Sequence, residues 1–306
     1  MRARIAIGLL VVIHAAILCA GFLAPYDYAE QHREYAYAPP TRVHFEGLRP
    51  FADRFPIRFL AGGRLFGVDS PGVIFLWGAD GAGRDVFSRV LYGGQISLAT
   101  GLGAAAISLG LGLFWGTLSG FYGGWADRLI MRGGELFLAL PWLYLLLAVR
   151  AFLPLHITTV EAFFLLVAII GMVGWVRPAR IVRGVVLGAR ERGFVLAARG
   201  FGAGAPYLIR RHILPLTWGV LLTQATILIP QYILAEVTLS FLGLGVGEPV
   251  PSWGNLLAEA RQYHALVNHP WMLAPGLATI PLLLGYLMLA DILLENPERQ
   301  SPQGRN

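Results

Sequence analysis

Chemistry needs reactive groups in company, and this chain of 306 residues keeps most of its own apart. The seven histidines are dispersed, with no His-Glu-x-x-His spacing to put zinc ligands and a base on one helix face. Ser-Gly pairs such as Ser119-Gly120 lie outside any strand–serine–helix context, so no activated serine is expected. A single cysteine, Cys19, allows no intrachain disulfide and argues against a cysteine-ligated metal cluster. All 24 basic residues are arginine. A phosphate-binding loop of the Gly-x-x-x-x-Gly-Lys-Ser/Thr type needs its lysine on the β- and γ-phosphates. This chain has no lysine, so any ATP it depends on must be hydrolysed by a separate subunit.

Two patterns survive. The first is Glu236, inside an apolar run that also carries Gln224, Gln231 and Thr238. An ionisable group in such a run marks a solute pathway or gate, or else a carboxyl hydrogen-bonded between helices near the outer end, and both readings stand. The second is an arginine-rich stretch: Arg177, Arg180, Arg183, Arg190, Arg192, Arg199, Arg210 and Arg211, against one acid, Glu191. A net charge of +6 could suggest nucleic acid. The crowding of eight arginines between two apolar runs favours a membrane-side role instead.

The elements that must hold these residues are membrane spans. The chain is 56% apolar and 14% charged, with a mean hydropathy of +0.61, against roughly 25% charged for a soluble domain. Six apolar runs are expected as helices. The first, Ile5 to Ala24 behind Arg2 and Arg4, is long enough to cross about 30 Å of hydrocarbon and is read as retained, not as a cleaved signal. Residues 25–89 form a polar excursion with five prolines between positions 39 and 71, expected to be irregular or to contain β-structure. The second run, from Val90, carries no charge through Ala126. The third spans Leu136 to Leu153, with Pro141 near its start and Arg150 near its far end. The fourth follows Glu161 and fades at Arg177-Pro178. The fifth is Ile213 to Leu244, interrupted by Pro215, Pro230 and Glu236. The sixth is Trp271 to Leu294. Residues 90–295 thus make a five-helix core after the first span, and 296–306 a short tail. The arginine distribution puts both termini, Arg128, Arg132 and the eight-arginine loop in the cytoplasm, and the excursion and residues 245–270 outside. The fold expected is an all-α integral membrane protein of about six transmembrane helices.

The arginine-rich loop is too apolar to be a plain linker. Val195, Leu196, Ala197 and Ala198 favour a helix, Gly202-Ala203-Gly204 break it, and Pro206 suits the first turn of a second helix. Leu208, Ile209, Ile213 and Leu214 give that helix an apolar side. Such a hairpin would present small residues for another protein to approach, with Arg199, Arg210 and Arg211 meeting acidic rims or lipid phosphates. A basic amphipathic hairpin on anionic headgroups is the alternative.

This hairpin resembles the cytoplasmic signature of permease subunits of bacterial binding-protein-dependent ABC importers. Ala197 and Ala198 match its paired alanines, Gly202 its glycine, and Leu214-Pro215 its end. Leu196 stands where the family usually has glutamate. Further blocks are similar to the dipeptide/oligopeptide/nickel branch, second-permease type: Gly78 to Asp85 with Ser88-Arg89 and Leu91-Tyr92-Gly93, Phe121 to Asp127 with Met131-Arg132, Glu236 to Gly245, and Pro251-Ser-Trp-Gly-Asn255. The resemblance implies a bacterial inner-membrane location, a second homologous permease, two ATPase subunits and an extracytoplasmic solute-binding protein. It implies that the loop between helices 4 and 5 is a coupling helix, with Ala197, Ala198, Arg199, Gly202, Ala203 and Pro215 at the ATPase contact. ATP and magnesium would then sit on the partner chains and no cofactor or metal on this one. Two other classes are kept: a self-contained secondary transporter or channel gated by Glu236, and a membrane enzyme, for which no acid–base cluster is found.

Overall fold

The computed structural model describes residues 2–46, 49–52, 55–60, 62–139, 141–151 and 158–295. Helix α1 (Arg2–Leu18) breaks at Cys19 and resumes as α2 (Ala20–Leu23). The excursion then folds as a four-stranded antiparallel meander, β1 (Val43–Glu46), β2 (Arg49–Ala52), β3 (Phe55–Phe59) and β4 (Phe66–Val68), so the helical fold carries a small sheet where β-structure was expected. Ile57 pairs with Val68 and Phe59 with Phe66.

Helix α3 (Val86–Tyr122) is the spine. Its 37 residues make it about 55 Å long at 1.5 Å per residue. Asp85 caps it, accepting from the Ser88 amide at 2.8 Å and the Ser88 hydroxyl at 2.6 Å. Burial holds the Asp85 carboxyl well above its ordinary range, at about 7, against the lowering effect of those bonds. Along α3, Ser97, Thr100, Ser108 and Ser119 are buried while Leu102 and Phe114 are exposed. Small and polar residues inward and large apolar ones outward is the arrangement expected of a helix bundle in lipid.

Helices α4 (Gly124–Ala139) and α5 (Trp142–Ala151) follow. The single third span expected from Leu136 is therefore divided. The break contains Pro141, which lacks an N–H and disfavours helical geometry in the residue before it. The far end of that run and the side chain of Arg150 lie outside the described residues, as does the 296–306 tail. Helix α6 (Thr159–Gly174) opens with a capping box between Thr158 and Glu161. Helix α7 (Val176–Arg190) continues it after a 44° bend.

The expectation of an eight-arginine loop is corrected here. Arg177, Arg180, Arg183 and Arg190 stand on α7, because Val176, Ala179, Val182, Val186 and Ala189 recur at helical spacing and are buried. That stripe packs on α3 at a run of glycines. A Cβ on Gly112 would meet Pro178 at 2.8 Å, on Gly116 the Ala179 carbonyl at 2.5 Å, and on Gly120 the Arg183 carbonyl at 2.9 Å. Gly116→Leu is expected to lower stability by about 1–3 kcal/mol through overpacking. Gly110→Leu, where nothing lies within 4 Å, should leave the thermal unfolding midpoint in detergent unchanged. Equal midpoints for the two variants would refute this packing.

The chain continues through α8 (Gly193–Gly200), α9 (Ala205–Leu208), a π-turn at Ile209–Ile213 and α10 (Leu214–Phe241), with Pro230 inside. Two short helices, α11 (Trp253–Glu259) and α12 (Tyr263–Asn268), fold back before α13 (Ala274–Glu295). Among the described residues, three segments are long and apolar enough to cross a membrane: Val86–Tyr122, Ala205–Phe241 and Pro270–Glu295. The bent pair α6–α7 reaches the same length and apolarity when taken as one segment. Among the described residues, buried apolar side chains form three groups along the bundle: one around Val90, Ile233 and Trp253, a middle one around Leu166, Ile170 and Tyr232, and a third around Phe121, Val186 and Ile213.

Candidate functional site

The hairpin forms as its residue types require. Helix α8 runs to Gly200, and Gly202 takes φ +85°, a left-handed geometry that favours glycine. Gly204 precedes α9, whose first turn holds Pro206. Val195, Leu208 and Ile213 are fully buried and fasten the hairpin to α7 and the Phe121 end of α3. Ala197 is exposed, and Ala198 and Ala203 are half-buried. The outward face is not made only of small residues, as expected from sequence. Phe201 is 93% exposed, and Phe194, Leu196 and Tyr207 also lie open. Arg199 places its guanidinium 5.8 Å from the centre of the Phe121 ring. It therefore ties α8 to the end of α3 by a cation–π contact. Pro215 is exposed at the start of α10.

Beneath the hairpin, Arg183 grips Asp127 of α4 with the Nε–Nη2 edge of its guanidinium, the Nη2–Oδ2 distance being 2.6 Å, and the Ser119 hydroxyl donates to the same carboxylate. This clamp fixes α4 and α7 against α3.

Glu236 is fully buried. The Ser97 hydroxyl of α3 donates to it at 2.5 Å and the Ser240 hydroxyl at 2.6 Å. Ser97 Oγ in turn accepts from the Trp253 amide at 3.2 Å. Through these bonds the carboxyl knots α3, α10 and α11 together. The other residues of that set are scattered. The Thr238 hydroxyl donates to its own helix at Leu234, Gln224 is half-buried, and Gln231 is exposed toward a cavity of about 520 Å³. His14 bridges helices, with Nε2 at 3.1 Å from the Tyr286 hydroxyl.

A charged cluster with no local signature in the sequence closes the other end of α3. Arg89 is fully buried and pairs with Asp80, with Glu259 at 2.9 Å and with Glu248 at 2.7 Å. Arg84 joins the same three acids, at 2.7 Å from Asp80 and 2.5 Å from Glu248. Three carboxylates meet two guanidinium groups, and burial raises the Glu259 carboxyl despite Arg89 and Arg84. Sequence reading misses the cluster because Glu248 stands 159 positions from Arg89 and Glu259 stands 170.

Residues 108–296 match the family described as the binding-protein-dependent transport system inner membrane component. The chain belongs to this family. It is a membrane-spanning permease subunit of an ATP-driven transport system, not an enzyme, and membership implies ATPase and binding-protein partners. The permease is 35% identical to the di/tripeptide transport system permease protein DppC of Pseudomonas aeruginosa over 292 residues, 94% of this chain and 85% of that one. It is 36% identical to the oligopeptide transport system permease protein OppC of Bacillus subtilis over 210 residues, 68% and 66% of the two chains. It is 34% identical to the dipeptide transport system permease protein DppC of Alkalihalophilus pseudofirmus over 225 residues, 73% and 71% of the two chains.

Proposed function

We infer that the permease carries di- or oligopeptides or similar small solutes inward, paired with a second homologous permease above two ATPase subunits and below a solute-binding protein. The names of its relatives support the peptide class. Six crossings are read as α1–α2, α3, α4–α5, α6–α7, α10 and α13, with both termini in the cytoplasm. The excursion, including the β-meander, then faces outward and serves docking of the binding protein or the partner permease. Residues 1–24, 25–89, 90–295 and 296–306 are the corresponding units.

The observation that carries this reading is the hairpin of α8 and α9. Its inner face is buried on the bundle, and Phe194, Leu196, Phe201 and Tyr207 stand outward, with nothing among the described residues covering them as a group. An exposed aromatic face rimmed by arginine suits a protein groove. There the hairpin is the coupling element. ATP and magnesium are bound by the ATPases, whose closure moves Ala197, Ala198, Arg199, Gly202 and Ala203 as one body and shifts the spans between two access states. A photocrosslinker in place of Tyr207 is expected to capture the ATPase in membranes of the producing cell, and one in place of buried Val195 is not. Capture of lipid alone from Tyr207 would turn the reading to a headgroup-bound hairpin.

A further inference from the structure

The cavity of about 520 Å³ lies between α4, α6, α7 and α10, with Phe137, Pro141, Val173 and Leu228 among its apolar walls. The Tyr232 hydroxyl on its wall is already engaged by Ser108. Two further polar side chains reach in from different helices: Arg177 at the start of α7 and Gln231 of α10. Arg177 was expected in the cytoplasmic loop. Instead, its neighbours Gly174 and Pro178 rest on Ser108 and Gly112 of α3, roughly 15–21 Å from that helix's inner end. Gln231 is about 26 Å along α10 from its first residue.

Arg177 is exposed to this cavity, and among the described residues no acidic side chain pairs with it. Every other arginine of α7 has a carboxylate: Arg180 has Glu135, Arg183 has Asp127 and Arg190 has Glu191. An unpaired guanidinium cannot face lipid tails at low cost, and ionisable groups within a span typically line a watered path or meet an opposite charge there. The guanidinium fork fits a carboxylate in two places. The Gln231 amide offers both a donor and an acceptor, which suits a peptide group. The volume lies within the range of small-ligand sites.

We propose that this cavity is a waiting site for the transported solute, in which Arg177 takes the terminal carboxylate of a short peptide and Gln231 bonds its backbone. The assignment rests on the peptide-importer reading above. A lipid phosphate would satisfy Arg177 equally, but would leave Gln231, deep in α10, with nothing to do.

The test uses the whole transporter with its binding protein in proteoliposomes. Uptake of alanylalanine and of its C-terminal amide is measured with each at saturation, beside ATP hydrolysis. Arg177→Gln is expected to lower uptake of the free acid at least tenfold and uptake of the amide less than twofold. Stimulated ATP hydrolysis should stay within twofold, and Arg177→Lys should restore most of the acid uptake. Unchanged acid uptake in Arg177→Gln, or equal loss of acid and amide, would overturn the proposal. An equal loss that varies with the anionic lipid content of the vesicles would assign Arg177 to a headgroup instead. If the wild-type complex showed no ATP-dependent uptake of either peptide, the peptide-importer reading itself would fall, and this assignment with it.

Discussion

Phe201→Asp is expected to leave the permease folded and to reduce ATP-driven uptake by the assembled transporter more than tenfold. At 93% exposure the ring contributes almost nothing to the permease's own core, so stability should move by no more than about 0.5 kcal/mol. If the hairpin seats in an ATPase groove, a charge at its outermost aromatic is desolvated there without a partner. The loss should therefore appear as weakened co-purification of the ATPase and as uncoupled uptake, with an unchanged melting midpoint. Gly202 is a less clean probe, because a side chain at its positive φ strains the turn itself. Normal uptake with Phe201→Asp would mean that this face is not the coupling contact.

Arg89→Met carries the second large effect. The arginine is wholly enclosed and Asp80 is 1% exposed. Deleting the cation leaves Asp80 and Glu259 leaning on Arg84 alone. Removing one partner of a buried ion pair typically costs about 3–5 kcal/mol. Glu248 is half open to solvent and adds little to that figure. Arg58→Met is the control, since Arg58 and Asp69 pair at 2.6 Å but are 63% and 55% exposed, and exposed pairs contribute about 0–1 kcal/mol. Unfolding of the purified permease by heat should separate the two variants clearly. Adding Asp80→Asn to Arg89→Met should recover part of the loss. Equal midpoints for Arg89→Met and Arg58→Met would show that the cluster is not structural.

The parts of this architecture that depend on local pattern are legible in the amino-acid sequence. The uncharged run from Val90, the apolar run before Leu244 and the run from Trp271 correspond to α3, α10 and α13. The Gly202 turn and the Pro206 start follow from residue type. What is not legible depends on partners distant in the chain. Arg177 to Arg190 read as a loop because their charge density masks the Val176–Ala179–Val182–Val186 stripe that pins them to α3. The third run reads as one span because its apolar content hides the break at Pro141. Glu236 stays open between two roles in the sequence, and its partner across the helices, the Ser97 hydroxyl, stands 139 positions away where no local pattern points to it. Phe201 escapes notice beside its small neighbours, and nothing in sequence says which way an aromatic beside a glycine turn will point.

The unusual length of α3 has a mechanical consequence. At one end it is seized by Arg199 over Phe121 and by the α7 contacts, and at the other by Arg89 and its acids. A pushrod about 55 Å long needs little leverage: a tilt of about 10° about one end carries the opposite end through roughly 10 Å. A push on the hairpin end of α3 would thus reach the Arg89 end through a single stiff member, with no relay of intermediate joints in which the stroke could dissipate.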